Sequence, residues 1–180
     1  MKTEIKVFNL LKPQLQQTVL ALFDIGSQLS FIFKKLPHQL RLNEAKSQTI
    51  KIAPFGMNKP KLCPTTRTQL NIQTTENEAI QLYANVVEYL MNEVQMVKIP
   101  KGDQFQELTN YWKKPDILIG ADYFFKFINL QKIHELPSGH TIIQSKVGPM
   151  IIESDNLNKL YAVEFIDCRY FILPSSNLSN

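Results

Sequence analysis

Cysteine is scarce, with Cys63 and Cys168 the only two in 180 residues. They are far apart and form neither a C-x-x-C pair nor a zinc-ligand spacing. That argues against a secreted disulfide scaffold and a structural zinc site, and leaves one long-range bridge open. A chain of this length can bury enough apolar surface to fold without either. Long apolar runs are also missing. No stretch approaches the roughly eighteen apolar residues of a membrane-spanning helix. The start, Met1-Lys2-Thr3-Glu4-Ile5-Lys6-Val7-Phe8, is broken by charge and lacks the apolar region of a signal peptide. Arginine is nearly absent, with only Arg41, Arg67 and Arg169 among 20 basic residues, so the net +4 rests on scattered lysines. A nucleic-acid partner needs a clustered basic face and favours arginine for bidentate contacts, so none is predicted. The six glycines include no phosphate-cradling run, and His38, His134 and His140 have no metal-ligand neighbours at useful spacing. No metal, no cofactor and no membrane partner is therefore predicted, and the location expected is intracellular, in the cytoplasm.

What is present is a succession of short apolar runs separated by Pro, Asn, Gly and Lys, the pattern of strands. Residues 19–23, 49–53, 69–73, 79–87, 94–99, 117–119, 140–144, 150–153 and 161–165 are read as strands. Two segments are read as helices, residues 104–111 and 122–128. Asp122 is assigned as the N-cap of the second, where its charge also suits the helix dipole. Tyr111 and Trp112 beside Lys113 and Lys114 are read as the cationic end of the first helix. The aromatic residues Tyr123, Phe124, Phe125 and Phe127 are read as packing the second helix inward or into an interface. With at least eight short strands the fold class predicted is all-β, a closed β-barrel with one or two short helices.

One segment carries chemistry. Leu20-Ala21-Leu22-Phe23 delivers a single carboxylate, Asp24, at the end of an apolar run, with Gly26 two residues later to allow a tight turn. This is the layout of an aspartic-protease loop and, taken alone, more often of an ordinary Asp-x-Gly turn. A second segment, Pro115-Asp116-Ile117-Leu118-Ile119-Gly120-Ala121-Asp122-Tyr123-Phe124, puts an apolar strand, a glycine and an acidic helix start in order.

Residues 22–32, Leu-Phe-Asp-Ile-Gly-Ser-Gln-Leu-Ser-Phe-Ile, resemble the L-L-D-S-G-S-Q-x-S-F-I segment of the aspartic peptidase domain of Pao/BEL-type retrotransposons. The second segment is similar to that family's D-I-L-I-G-x-D-Y-F. Leu136-Pro137-Ser138-Gly139-His140 with Gln144-Ser145-Lys146-Val147-Gly148 is similar to its L-P-S-G and S-K-x-G elements. Ala53-Pro54-Phe55-Gly56 stands where the family has T-F-G. The resemblance runs over residues 19–153. It implies a retropepsin-like (acid protease) barrel over residues 14–170, flanked by an N-terminal strand or arm at 1–13 and a polar tail at 171–180. It also implies a peptidase module alone, from an element or from a host gene derived from one.

The resemblance further implies a mechanism. Two carboxylates share one proton and activate water between them. This chain has one Asp-x-Gly, so the second carboxylate would be the Asp24 of an identical chain in a homodimer, acting on a peptide or polyprotein substrate. Asp24 is then catalytic, and Ile25, Gly26 and Ser27 form its loop. Ser27 would hydrogen-bond the Asp24 carboxylate, and Ile119, Gly120 and Asp122 would give structural support. Asp116 and Asp122 are read as turn-forming and capping rather than as the second carboxylate. A flap is placed between residues 52 and 64, with Phe55 and Gly56 near its turn; an ordinary loop fits that segment as well. Extra length relative to compact retropepsins is placed in residues 76–111. Ile25 departs from the family, which has Ser or Thr there to hydrogen-bond across the dimer axis. Its loss predicts a site of reduced or absent activity, and a dimerising or protein-binding module as the alternative function.

Overall fold

The computed structural model describes residues 1–54, 60–98, 109–135, 141–152 and 170–172. Strands dominate them. The chain opens with β1 (Lys2–Asn9) and β2 (Lys12–Phe23), a hairpin. It continues through β3 (Phe31–Phe33), helix α1 (Lys35–Leu40), β4 (Gln48–Pro54) and β5 (Lys61–Gln73). Next come β6 (Ala79–Val87), β7 (Val94–Lys98), β8 (Thr109–Lys113) and β9 (Ile117–Ile119). Helix α2 (Ala121–Phe127), β10 (Ile128–Glu135), β11 (Thr141–Ser145), β12 (Gly148–Ile152) and β13 (Tyr170–Ile172) follow. The fold is all-β with two short helices.

The pairings lead back to their start. β1 pairs with β2, β2 with β9, β9 with β3, β3 with β6, β6 with β5, and β5 again with β1. Two pairings are parallel, Leu22↔Leu118 between β2 and β9 and Phe31↔Asn85 between β3 and β6. β1 closes this ring with one half of its second edge, where Lys6–Phe8 face Asn71–Gln73. The other half meets β12 at Ile151. β12, β11 and β10 extend outward from β1, β4 and β13 extend from β5, and β7 with β8 forms a separate two-stranded sheet. Residues 2–9 thus lie inside the ring.

The middle of the ring is covered on both faces. Ala21, Phe23, Ile117, Ile119 and Ile32 join the main core with Val7, Ile72, Leu82, Leu36 and Leu40. Leu22, Leu118, Phe31 and Phe33, the alternate residues of the same strands, join a second cluster with Ile52, Val87 and Leu90. A sheet buried on both sides needs apolar residues at consecutive positions. That is why Val19–Phe23 and Ile117–Ile119 read as unbroken apolar runs. α2 closes the main core with buried Phe124 and Phe127, and the Phe127 ring meets Phe23 edge to face at 5.6 Å. Phe125 points outward, 61% exposed.

Two readings of the sequence need correction. The helix assigned to residues 104–111 is not formed where the structure describes it: Thr109–Lys113 is a strand, paired from Val94↔Lys113 to Lys98↔Thr109. Thr109, Tyr111 and Trp112 are β-branched or aromatic, and a partner strand overrides a weak helical pattern. Tyr111 and Trp112 therefore lie on a strand and not at a helix end. Asp122 is not the N-cap of α2. Gly120 holds that position without a side-chain cap, and Asp122 sits in the first turn. Residues 104–108 and the strand assigned to 161–165 lie outside the described residues. Among the described residues, the stretch 76–111 holds β6, β7 and the start of β8.

Candidate active site

Asp24 follows the last residue of β2. Its backbone N–H donates to Ile119 O at 3.0 Å, which ties the loop to β9. The loop then turns at once: Ser27 N–H donates to Asp24 O at 3.2 Å, and Gly26 N–H donates to Asp24 Oδ1 at 3.0 Å. An aspartate that accepts from the backbone two residues on is a common way to stabilise a turn. The Asp24 carboxylate is half-buried, while Ile25 at the loop tip is 54% exposed.

The loop rests on Gly120. A Cβ there would lie 2.4 Å from Leu29 O, 2.6 Å from Leu29 C and 2.7 Å from Ser27 O. Only a residue with no side chain lets the two segments approach this closely. Ala121 N–H donates to Ser27 O at 2.7 Å across the same contact. Ser27 is fully buried, and its hydroxyl donates to Leu29 O at 3.3 Å. The hydrogen bond expected from Ser27 to the Asp24 carboxylate is therefore not made; the hydroxyl braces the loop's own backbone.

Ser30 is the second brace, a residue to which the sequence alone assigned no role. It is fully buried. Its hydroxyl donates to Asp122 Oδ1 at 2.7 Å and accepts from Gly120 N–H at 3.1 Å, and its N–H donates to Asp122 Oδ2 at 3.1 Å. Asp122 thus holds the far end of the loop, a role that accounts for its position better than capping does. Asp116 serves similarly one turn of chain earlier: its carboxylate accepts from Leu20 N–H at 3.3 Å and its N–H donates to Leu20 O at 3.0 Å. Burial raises the Asp116 carboxyl above its ordinary range. The Leu20 hydrogen bond and the charges of Lys113 and Lys114 oppose that rise only in part.

The structure therefore brings together Asp24, Ile25, Gly26, Ser27, Ile119, Gly120 and Asp122. Phe55 and Gly56 lie outside the described residues. Their hairpin does not: β4 and β5 pair from Gln48↔Thr65 to Ile52↔Lys61. Its inner face lies on the second cluster, to which Leu22, two residues before Asp24, also belongs. A pocket of about 240 Å³ opens there between Phe31, Ile52, Cys63, Val87, Tyr89 and Leu90. Cys63 is a free thiol. The S-K-x-G element is the β11–β12 turn, where Gly148 adopts φ +110° and the Ser145 hydroxyl donates to its carbonyl at 2.6 Å. Leu136–His140 lies outside the described residues.

Among the described residues no three His, Cys, Asp or Glu side chains gather to hold a metal ion, and no helix is long and apolar enough to cross a membrane. A family model described as Putative peptidase (DUF1758) matches residues 5–163. No curated protein and no solved structure matches the chain. The matched residues include every segment that builds the Asp24 loop, which lies within a peptidase-like domain. By this match over most of its length, the chain belongs to the DUF1758 peptidase family.

Proposed function

We propose that this chain is one half of an aspartic endopeptidase of the retropepsin type, with the Asp24 carboxylates of two identical chains forming the site. The observation that carries this reading is the Asp24 loop itself. A single carboxylate stands at a strand end, held by Ile119, Gly120 and Asp122 through the segment that retropepsin-like sequences use for the same purpose. A lone half-buried carboxylate cannot take one proton and give another in the same step, so a second copy completes the chemistry. One carboxylate removes a proton from water as its oxygen attacks the scissile carbonyl, and the other donates a proton to the carbonyl oxygen; two carboxyls at this spacing titrate as a pair. No cofactor is required. The apolar pocket beside Leu22 fits an apolar side chain of a peptide or polyprotein substrate. The β4–β5 hairpin is suited to close over it and exclude water. Origin from a Pao/BEL-type retrotransposon rests on the four matching segments.

Ile25 favours a second reading, a domain that dimerises or binds protein without cleaving it. An exposed isoleucine offers no hydroxyl to the opposing loop. A polar group left without its partner there costs about 1–3 kcal/mol. Incubation of the purified chain with a peptide library between acidic and neutral pH separates the two readings. Cleavage that disappears in Asp24→Asn supports the enzyme. Absence of cleavage in the native chain, with cleavage created by Ile25→Thr, supports the impaired site. A strict monomer by light scattering at high concentration, with no cleavage in either form, overturns the two-chain site.

A further inference from the structure

A cleft larger than the pocket beside Leu22 lies away from Asp24. It holds about 660 Å³ at the opposite end of β2, between the β1–β2 turn, the segment after α1, and the middle of β5. The two sites are separated by the twelve residues of β2, on the order of 35 Å of extended chain. Two of the three arginines in the chain, Arg41 and Arg67, line it together with Lys12, against one acid, Glu44. The Glu44 carboxylate already accepts from the Thr66 hydroxyl.

The arginines are held by the fold. Arg41 sits at the C-terminal end of α1 in the left-handed conformation, φ +49° and ψ +49°, where glycine or asparagine is the usual choice. The buried Asn9 fixes that backbone by donating from Nδ2 to Leu40 O and Arg41 O, both at 3.0 Å. The guanidinium of Arg67 lies 5.5 Å from the centre of the Tyr83 ring. At the mouth are Leu10 and Leu11, 51% and 80% exposed. They occupy the two-residue turn between the paired Asn9 and Lys12.

We infer that this cleft binds an acidic linear peptide in which a carboxylate side chain adjoins an apolar one. Arg41 and Arg67 take the carboxylate, and Leu10 and Leu11 cover its apolar neighbour. The guanidinium fork matches a carboxylate in two parallel hydrogen bonds. The adjacent leucines favour an aliphatic side chain over the flat bases of a phosphodiester chain, which stack on aromatic rings, and free phosphate has no apolar group to offer them. The inference is independent of the chemistry at Asp24.

The test is fluorescence anisotropy with a labelled peptide of alternating glutamate and leucine, beside its lysine–leucine counterpart, oligouridylate and inorganic phosphate. The native chain should bind the acidic peptide in a salt-sensitive way and ignore the lysine peptide. Arg41→Gln with Arg67→Gln should weaken binding roughly tenfold or more. Leu10→Ser with Leu11→Ser should weaken it at unchanged salt dependence, and the melting temperature of each variant reports that it is folded. Equal affinity for the lysine peptide overturns the inference. So does unchanged binding in both folded variants, or displacement of the peptide by oligouridylate or phosphate at comparable concentration.

Discussion

Replacing Gly120 with alanine adds one methyl group at the point where the Asp24 loop rests on β9. The backbone of Gly120 lies at φ −87° and ψ −175°, which any residue adopts, so the cost is purely one of space. The new Cβ would stand 2.4 Å from Leu29 O, where ordinary contact begins at 3.4 Å. All three atoms it meets are backbone, so no side chain can swing aside. The loop must retreat by about 1 Å, and it is pinned by the Asp24–Ile119, Ala121–Ser27 and Ser30–Asp122 hydrogen bonds. Overpacking of this kind costs about 1–3 kcal/mol. For a chain of this size that lowers Tm by about 2–12 °C. If the chain cleaves peptides, a displacement of 1 Å at the carboxylate should cost on the order of a hundredfold in rate. Gly148→Ala is the control. No atom lies within 4 Å of its Cβ, and its φ of +110° makes its penalty one of backbone conformation. Thermal unfolding of both variants by circular dichroism checks the argument. A Gly120→Ala protein that melts within 1 °C of the native chain would refute the close contact on which the site's construction depends.

Ser30→Ala removes the acceptor of the buried Gly120 N–H and one donor to Asp122; it should cost about 1–3 kcal/mol, read as a lower urea midpoint at unchanged m-value. Asp116→Asn tests the raised carboxyl. Its folded value lies above the ordinary 3.8, so its contribution to stability is fully present below that value and is lost as pH rises through the raised one. The stability difference, asparagine minus aspartate, should therefore shift in favour of asparagine between pH 3 and pH 7, measured by urea unfolding at each pH; a pH-independent difference would contradict it. Phe127→Ala opens a cavity beneath Phe23 in the main core and should cost about 3–5 kcal/mol, enough to show as loss of folded protein on expression. Asp24→Asn keeps the Gly26 N–H acceptor and should leave Tm within about 2 °C while removing any peptide cleavage.

Much of this architecture can be read from residue order. Ala79–Val87 and Ile117–Ile119 have the bounds that their β-branched and apolar composition predicts; Ile117–Ile119 is buried at every position, while the first half of Ala79–Val87 alternates between exposed and buried residues. The Asp24 loop and the Gly120 segment were legible as two motifs, and the structure joins them. Other features depend on distant partners. Thr109–Lys113 needed Val94–Lys98 to be recognised as a strand. α1 contains Pro37, which reads as a helix breaker, yet within the first turn its missing N–H has no intrahelical partner to lose. The inward turn of the Ser27 hydroxyl and the Ser30–Asp122 clamp are three-dimensional choices that no spacing along the chain announces.

The parallel pairing of β2 with β9 has a further consequence for the order of events in folding. Leu20 and Asp116, bonded to each other at the start of that pairing, are 96 positions apart. Joining the ends of so long a segment costs about 4 kcal/mol of chain entropy before any contact compensates for it. Until Ile119 arrives, the Asp24 N–H has no strand to bind and Leu29 has no glycine to lie against. The carboxylate is therefore positioned only once the chain has been synthesised through Ile119. If the chain cleaves peptides, this order of assembly keeps its own unfolded segments away from an organised site while they are most open to cleavage.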